Sequence, residues 1–122
     1  MMPSRVLLLD PSPQGGEEYR LPAEKLIAGN PLQRLWPAYT DASGAFFAGQ
    51  WQSEPGKWSV SYTEEEYCEI LTGRSTITDA QGTALTVTRG DRFIIPRGFV
   101  GTWEVLETTR KIYVIHEPPS EP

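Results

Sequence analysis

One carboxylate in this 122-residue chain is placed where a carboxylate needs a partner. In the run Glu66-Tyr67-Cys68-Glu69-Ile70, the residues Glu66, Cys68 and Ile70 stand at alternate positions. Alternate residues of a strand share a face. An inward Ile70 therefore carries Cys68 and Glu66 inward with it. A buried carboxylate needs a metal, a cation or hydrogen-bond donors. Tyr62 precedes Glu66 by four residues and brings a phenol to the same neighbourhood. A second polar group comes from a late apolar run, Arg110-Lys111-Ile112-Tyr113-Val114-Ile115. Either Lys111-Tyr113-Ile115 or Ile112-Val114-His116 faces inward there, and apolarity alone favours the second set.

Catalytic metal sites need about three protein ligands and an open position. The only histidine is His116, and Glu64, Glu66 and Cys68 are the remaining donors near the presumed interior. A tight transition-metal site is therefore not expected. No histidine lies near Cys68 in sequence, and a free cysteine in a strand behaves mostly as a small hydrophobe. Glu65 and Glu69 read as a solvated face. Gly15-Gly16 lacks the spacing of a phosphate-binding loop.

The elements that must position these groups are short strands. Candidate strands run over 45–53, 57–63, 66–72, 74–79, 84–88, 91–96, 101–107 and 109–116. Turn chemistry separates them at Glu54-Pro55-Gly56, Gly73, Asp79 to Gly82, Arg89-Gly90-Asp91 and Pro96 to Gly98. Many short strands at regular spacing predict a sandwich or barrel. Before Gly44 the pattern is less regular. Val6–Leu9 reads as a short buried strand or arm, Leu21–Ala28 as one or two helical turns, and Leu32–Tyr39 as a strand. The length is that of one domain, 1–122, with an arm and lead-in strands over 1–43 and a barrel core over 44–116.

Composition excludes some classes. The net charge is −5 and no basic run exceeds Arg110-Lys111, so neither nucleic acid nor an anionic membrane is an expected partner. The single cysteine cannot form an internal disulfide, and no apolar run reaches the length of a membrane span. The expected location is the cytoplasm.

The stretches Gly56–Gly73 and Gly90–Trp103 together resemble the two cupin motifs. Glu66 and Gly73 match the end of the first. Gly90, Pro96 and Gly98 match the second. The histidine positions of those motifs fall on Val60, Tyr62 and Gly101. Longer strings, Glu66-Tyr67-Cys68-Glu69-Ile70-Leu71-Thr72-Gly73-Arg74 and Gly98-Phe99-Val100-Gly101-Thr102-Trp103 among them, resemble the cupin-3 (DUF861) family. That family is similar to the ureidoglycine aminohydrolase cupin domain and to the ethanolamine-utilisation protein Q. The resemblance spans about residues 36 to 116. It implies an all-β fold, the double-stranded β-helix or jelly roll of the cupins, and says little about reaction. It also implies that Lys111 and Tyr113, rather than Ile112 and Val114, lie near the pocket, because the block from Arg110 to Ile115 recurs in the family.

The expectation is a small-molecule binding module. Trp51, Trp58, Tyr62, Cys68, Trp103 and Tyr113 would line its barrel pocket, with Glu66 and Lys111 orienting a small polar metabolite. An inward Lys111 would offset the charge of Glu66. The alternatives are an enzyme acting on a small nitrogenous compound, with Tyr62, Glu66 and Lys111 as the catalytic candidates, and a structural subunit of a larger assembly. No cofactor is expected, and a divalent ion held weakly at Glu66 is the one alternative. A homodimer is expected, with Arg5–Leu9 as the arm packed or exchanged between copies.

Overall fold

The structure is a computed structural model and describes residues 4–118. Nine strands and one 3-10 turn follow in order: β1 (Glu17–Tyr19), the turn (Ala23–Lys25), β2 (Leu26–Ala28), β3 (Gln33–Thr40), β4 (Phe46–Ser53), β5 (Gly56–Ser61), β6 (Glu65–Asp79), β7 (Ala84–Thr88), β8 (Arg92–Ile95) and β9 (Val100–His116). All pairings are antiparallel. β9 pairs with β4 through its second half and with β5 through its first half. Along nearly its whole length it also pairs with β6, which carries β7 and β8 on its other edge. The sheet curls on itself as an all-β jelly-roll barrel, as the turn spacing predicts.

The interior is aromatic and apolar. Trp51, Trp58, Cys68, Ile70, Ile77, Val87, Ile95, Trp103, Val105 and Tyr113 form one buried cluster. Trp51 meets the edges of Trp58 and Trp103 at centroid distances of 6.1 and 5.5 Å. Such T-shaped pairs add to the burial of the rings.

Two expected breaks are absent. The segments 66–72 and 74–79 are one strand of 15 residues, and 101–107 and 109–116 are one strand of 17. Gly73 is a bulge rather than a turn. Its φ is +89°, and the ladder to β9 shifts register around it, from Ile70 opposite Lys111 to Ser75 opposite Val105. Even positions (Glu66, Cys68, Ile70) are buried before the bulge, and odd positions (Ser75, Ile77) after it. A bulge bends the strand and increases its twist, which lets β6 serve two parts of the curled sheet.

The region before Gly44 departs further from expectation. Val6–Leu9 is neither buried nor in a strand; it is exposed and pairs with nothing among the described residues. The helical turns over Leu21–Ala28 shrink to one 3-10 turn, after which Leu26 and Ala28 pair with β5. Pro22 immediately precedes that turn, and Gly29 and Pro31 follow too closely for a helix to propagate. β1, only three residues long, leaves too short an alternation to detect in sequence.

Replacing Gly73 by Ala should cost about 3 kcal/mol or more, because a Cβ there would lie 2.1 Å from the Thr108 carbonyl oxygen in addition to the unfavourable φ. Gly82 has a similar φ of +86° but open space around it, so Gly82→Ala should cost only about 1–2 kcal/mol. Urea midpoints of the two variants test the difference.

Candidate functional site

Inward residues of β6 and β9 meet at the bottom of the barrel mouth. Glu66 is 4% exposed and Lys111 6%. They are not opposite one another, since Glu66 pairs with Ile115 and Lys111 with Ile70. Lys111 therefore reaches along the interior, past the Cys68–Tyr113 rung. Its Nζ donates to Glu66 Oε2 at 2.7 Å. The Cys68 thiol donates to the same oxygen at 3.2 Å. Glu66 Oε1 accepts no hydrogen bond among the described residues. The ammonium also lies 4.4 Å from the ring centre of Trp103 and 4.8 Å from that of Trp51, where the negative ring faces attract it.

Above this pair is a cavity of about 350 Å³. Six of the eight expected site residues line it: Trp51, Trp58, Tyr62, Glu66, Lys111 and Tyr113. Cys68 and Trp103 do not; they are fully buried beneath the floor, where they hold Lys111 and Glu66. The face of β9 that points inward is Lys111-Tyr113-Ile115. Apolarity alone chooses the opposite face, because Ile112 and Val114 are only half-buried on the outside. The lead-in segment supplies wall residues that the sequence did not reveal: Tyr19, Leu21 and Lys25. Phe47 and Ile115 also line the cavity. Both follow from alternation, since Phe47 shares a face with Trp51 and Ile115 with Tyr113.

Electrostatics fix the protonation of the floor. Burial on its own lowers the pKa of Lys111. Negative charge on the Cys68 sulfur, the Glu66 carboxylate and the Tyr62 oxygen outweighs it, the sulfur and the phenol contributing only where they ionise at high pH, and the amine holds its proton more tightly than an ordinary lysine. Burial pushes the Cys68 thiol up to about 12, with Lys111 pulling down and Glu66 pushing up. Burial also raises Tyr62, Tyr19 and Tyr113 above the usual phenol range. At the rim, Glu64 is raised by burial and then by the neighbouring carboxylates of Glu117 and Glu66. At neutral pH the floor is thus a thiol, an ammonium and phenols.

Three histidines at the motif positions would make a metal site, and the side chains present do not fit one. Val60 and Gly101, two of the three positions, face each other across the β5–β9 ladder. A Cβ on Gly101 would lie 2.0 Å from the Thr78 carbonyl oxygen, so no ligand side chain fits there. Tyr62 holds the third. Glu66, the one matched ligand, already has a cation at contact distance. Among the described residues no group of three or more His, Cys, Asp or Glu could hold a metal ion.

Comparison with known proteins agrees with this architecture. Residues 40–113 match the profile of the EutQ-like cupin domain family. A DUF861-family protein of unknown function from Pseudomonas syringae pv. tomato is 25% identical, with a TM-score of 0.73; the match covers 92% of this chain and 46% of that one. The Clostridium difficile EutQ protein is 17% identical with a TM-score of 0.64, over 71% of this chain and 64% of that one. A putative ethanolamine utilization protein Q from Salmonella typhimurium LT2 is 14% identical with a TM-score of 0.64, over 88% and 100% respectively. The chain thus spans less than two thirds of the first two. No curated protein matches the sequence at a significant level.

Two measurements test the floor. Lys111→Met strands a buried carboxylate and should destabilise by about 3–5 kcal/mol, most of which the double variant Glu66→Gln/Lys111→Met should recover. The second is the alkaline limb of stability. Cys68 has a folded pKa above its unfolded value, so its contribution is complete below pH 9 and is lost as pH rises toward 12; the raised Lys111 adds loss above 10.5. The thermal midpoint should fall from about pH 9 upward, and Cys68→Ala should delay the fall.

Proposed function

This chain belongs to the EutQ-like cupin domain family, and from that premise we propose that it is a metal-independent binding module for a small polar metabolite, held in the barrel cavity. The observation that carries the reading is the Lys111–Glu66 contact at 2.7 Å. The protein's own ammonium supplies the positive charge that a metal would otherwise bring to the motif glutamate. The other carboxylate oxygen has no donor among the described residues and can accept from a ligand. Aromatic walls from Trp51, Trp58, Tyr62 and Tyr113 provide apolar contact, and a few convergent polar groups set orientation, the usual composition of a small-molecule site. The volume of about 350 Å³ suits a metabolite rather than a polymer.

The protonation states support binding over covalent chemistry. A nucleophilic cysteine or lysine needs a lowered pKa, whereas both are raised here. The second reading is an enzyme acting on a small nitrogenous compound, with Glu66 as proton acceptor, Tyr62 as proton donor and Lys111 as electrostatic partner. It draws on the same free Glu66 oxygen. The raised Tyr62 pKa makes that phenol a poor acid.

A thermal-shift screen of amines, amides, amino acids and carboxylates should find a ligand that raises the midpoint of the wild type. Val60→Trp fills the cavity while leaving the Glu66–Lys111 pair in place, and should abolish the shift. A ligand that stabilises both proteins equally binds elsewhere and sinks the reading. So does stoichiometric Mn, Fe, Ni or Zn in the purified protein. Consumption of the stabilising compound would favour the enzyme.

A further inference from the structure

The charges that line the barrel cavity narrow the chemistry of its occupant; the inference rests on that cavity being the binding site. Four charged side chains line it: Lys25, Glu64, Glu66 and Lys111. Neither cation is a good seat for an anion. Lys111 already serves Glu66 Oε2 at 2.7 Å and lies 4.4 and 4.8 Å from the ring centres of Trp103 and Trp51. Lys25 ends the 3-10 turn of the lead-in segment and is exposed, so an ion pair there competes with water and gains little. Glu66 is the opposite case. It is buried, and only its Oε2 has donors among the described residues. A carboxylate oxygen accepts only, and leaving it unpaired in the interior is costly. An occupant that brings a donor relieves that cost. Around the oxygen stand six aromatic rings, those of Tyr19, Phe47, Trp51, Trp58, Tyr62 and Tyr113. Ring faces are negative, so they attract cations and disfavour carboxylates. Lys111 shows how this interior seats an ammonium, with one Glu66 oxygen and two indole rings. The free oxygen and the remaining rings repeat those components.

We propose that the cavity binds a small organic amine as its primary ammonium, an alkyl- or arylalkylammonium with no carboxylate beside the nitrogen. The nitrogen sits at Glu66 Oε1, so that one carboxylate bridges two ammonium groups, that of Lys111 and that of the ligand. A primary ammonium has three N–H donors. Oε1 takes one, and the phenol oxygens of Tyr62 and Tyr113, which line the same cavity, are acceptors for the others. The apolar part of the ligand lies against Leu21, Leu35 and Ile115. The added positive charge is offset by the ring faces and by Glu64, the second carboxylate of the lining. An α-amino acid would bring its own carboxylate toward Glu66 and the same rings, with the charge of Lys111 already neutralised. A quaternary ammonium has no N–H and leaves Oε1 unpaired. The primary amine is the class that satisfies both the carboxylate and the aromatic enclosure.

Isothermal titration of the whole chain at neutral pH tests this with compounds of one skeleton: phenethylammonium, phenethyl alcohol, hydrocinnamate and phenylalanine. The ammonium should bind about tenfold or more tightly than the alcohol, because a hydrogen bond between ionised partners is the stronger one. Hydrocinnamate and phenylalanine should give no saturable heat. Glu66→Gln/Lys111→Met removes the carboxylate together with its cation, so no lone charge is left in the core, and near-ultraviolet circular dichroism checks its packing. That variant should bind the ammonium no more tightly than the alcohol. Val60→Trp, which fills the cavity, should bind neither. If the alcohol or hydrocinnamate binds the wild type as tightly as the ammonium and Val60→Trp abolishes it, the cavity is a binding site and the ammonium inference falls. A preference for the ammonium that persists in the double variant takes Glu66 out of the site and also overturns it. Ammonium binding that survives Val60→Trp lies outside the cavity and overturns both readings. Absence of binding by all four compounds overturns the ammonium inference alone, since the broader thermal-shift screen decides separately whether the cavity binds a metabolite.

Discussion

A single oxygen, Glu66 Oε2, receives both the Lys111 ammonium and the Cys68 thiol inside the barrel. Neither charge could remain there alone, since an unpaired buried ion costs several kcal/mol. The surrounding structure is arranged around that necessity. Trp51 and Trp103 place their faces against the ammonium. β6 and β9 hold the two side chains two rungs apart, a span that a long lysine stem can cover. A shorter base at 111 would leave the carboxylate stranded, and a different register would put one partner outside. The pair is thus a condition that strand pairing must meet, as well as a product of it.

That condition explains the bulge at Gly73. Burial at even positions of β6 brings Glu66, Cys68 and Ile70 into the interior. β9 turns odd positions inward on both sides of the exposed Glu107, with Trp103 and Val105 before it and Thr109, Lys111 and Tyr113 after it. In a regular ladder the frame set by Glu66 and Lys111 would carry to the far end of β6 and turn Ser75 and Ile77 outward. The slip of one residue at Gly73 corrects the frame. Only a glycine meets the position, because the backbone of Thr108 occupies the space of a Cβ. The motif glycine is therefore part of the same geometry as the motif glutamate seven residues earlier.

Much of this was legible in the residues. Strand spacing and turn chemistry gave the barrel, and alternation put Glu66 beside Cys68 and Ile70. The orientation of the last strand was not legible from polarity, because Ile112 and Val114 are as apolar as an inner face. The family resemblance, not the physics of burial, pointed to Lys111 and Tyr113. Gly73 looked like a turn because glycine marks turns and bulges alike. The wall contributed by Tyr19 and Leu21 was invisible, since a three-residue strand carries no periodicity and its position depends on pairing with distant β3. The floor roles of Cys68 and Trp103 were also hidden, because alternation gives a side but not a depth.

A metal ion and a buried ammonium beside a carboxylate differ in what they can do. A metal ion offers open coordination positions and can polarise a bound oxygen. An ammonium buried under two indoles and bound to a carboxylate offers at most a hydrogen bond, and its charge is already neutralised. Its high pKa keeps it from acting as a nucleophile. At Gly101 a ligand side chain could be introduced only by moving the Thr78 backbone. The side chains at the motif positions pair the glutamate with an ammonium inside an aromatic enclosure. The result is a shaped, partly apolar chamber in which one Glu66 oxygen holds the Lys111 and Cys68 donors and the other accepts from no group among the described residues.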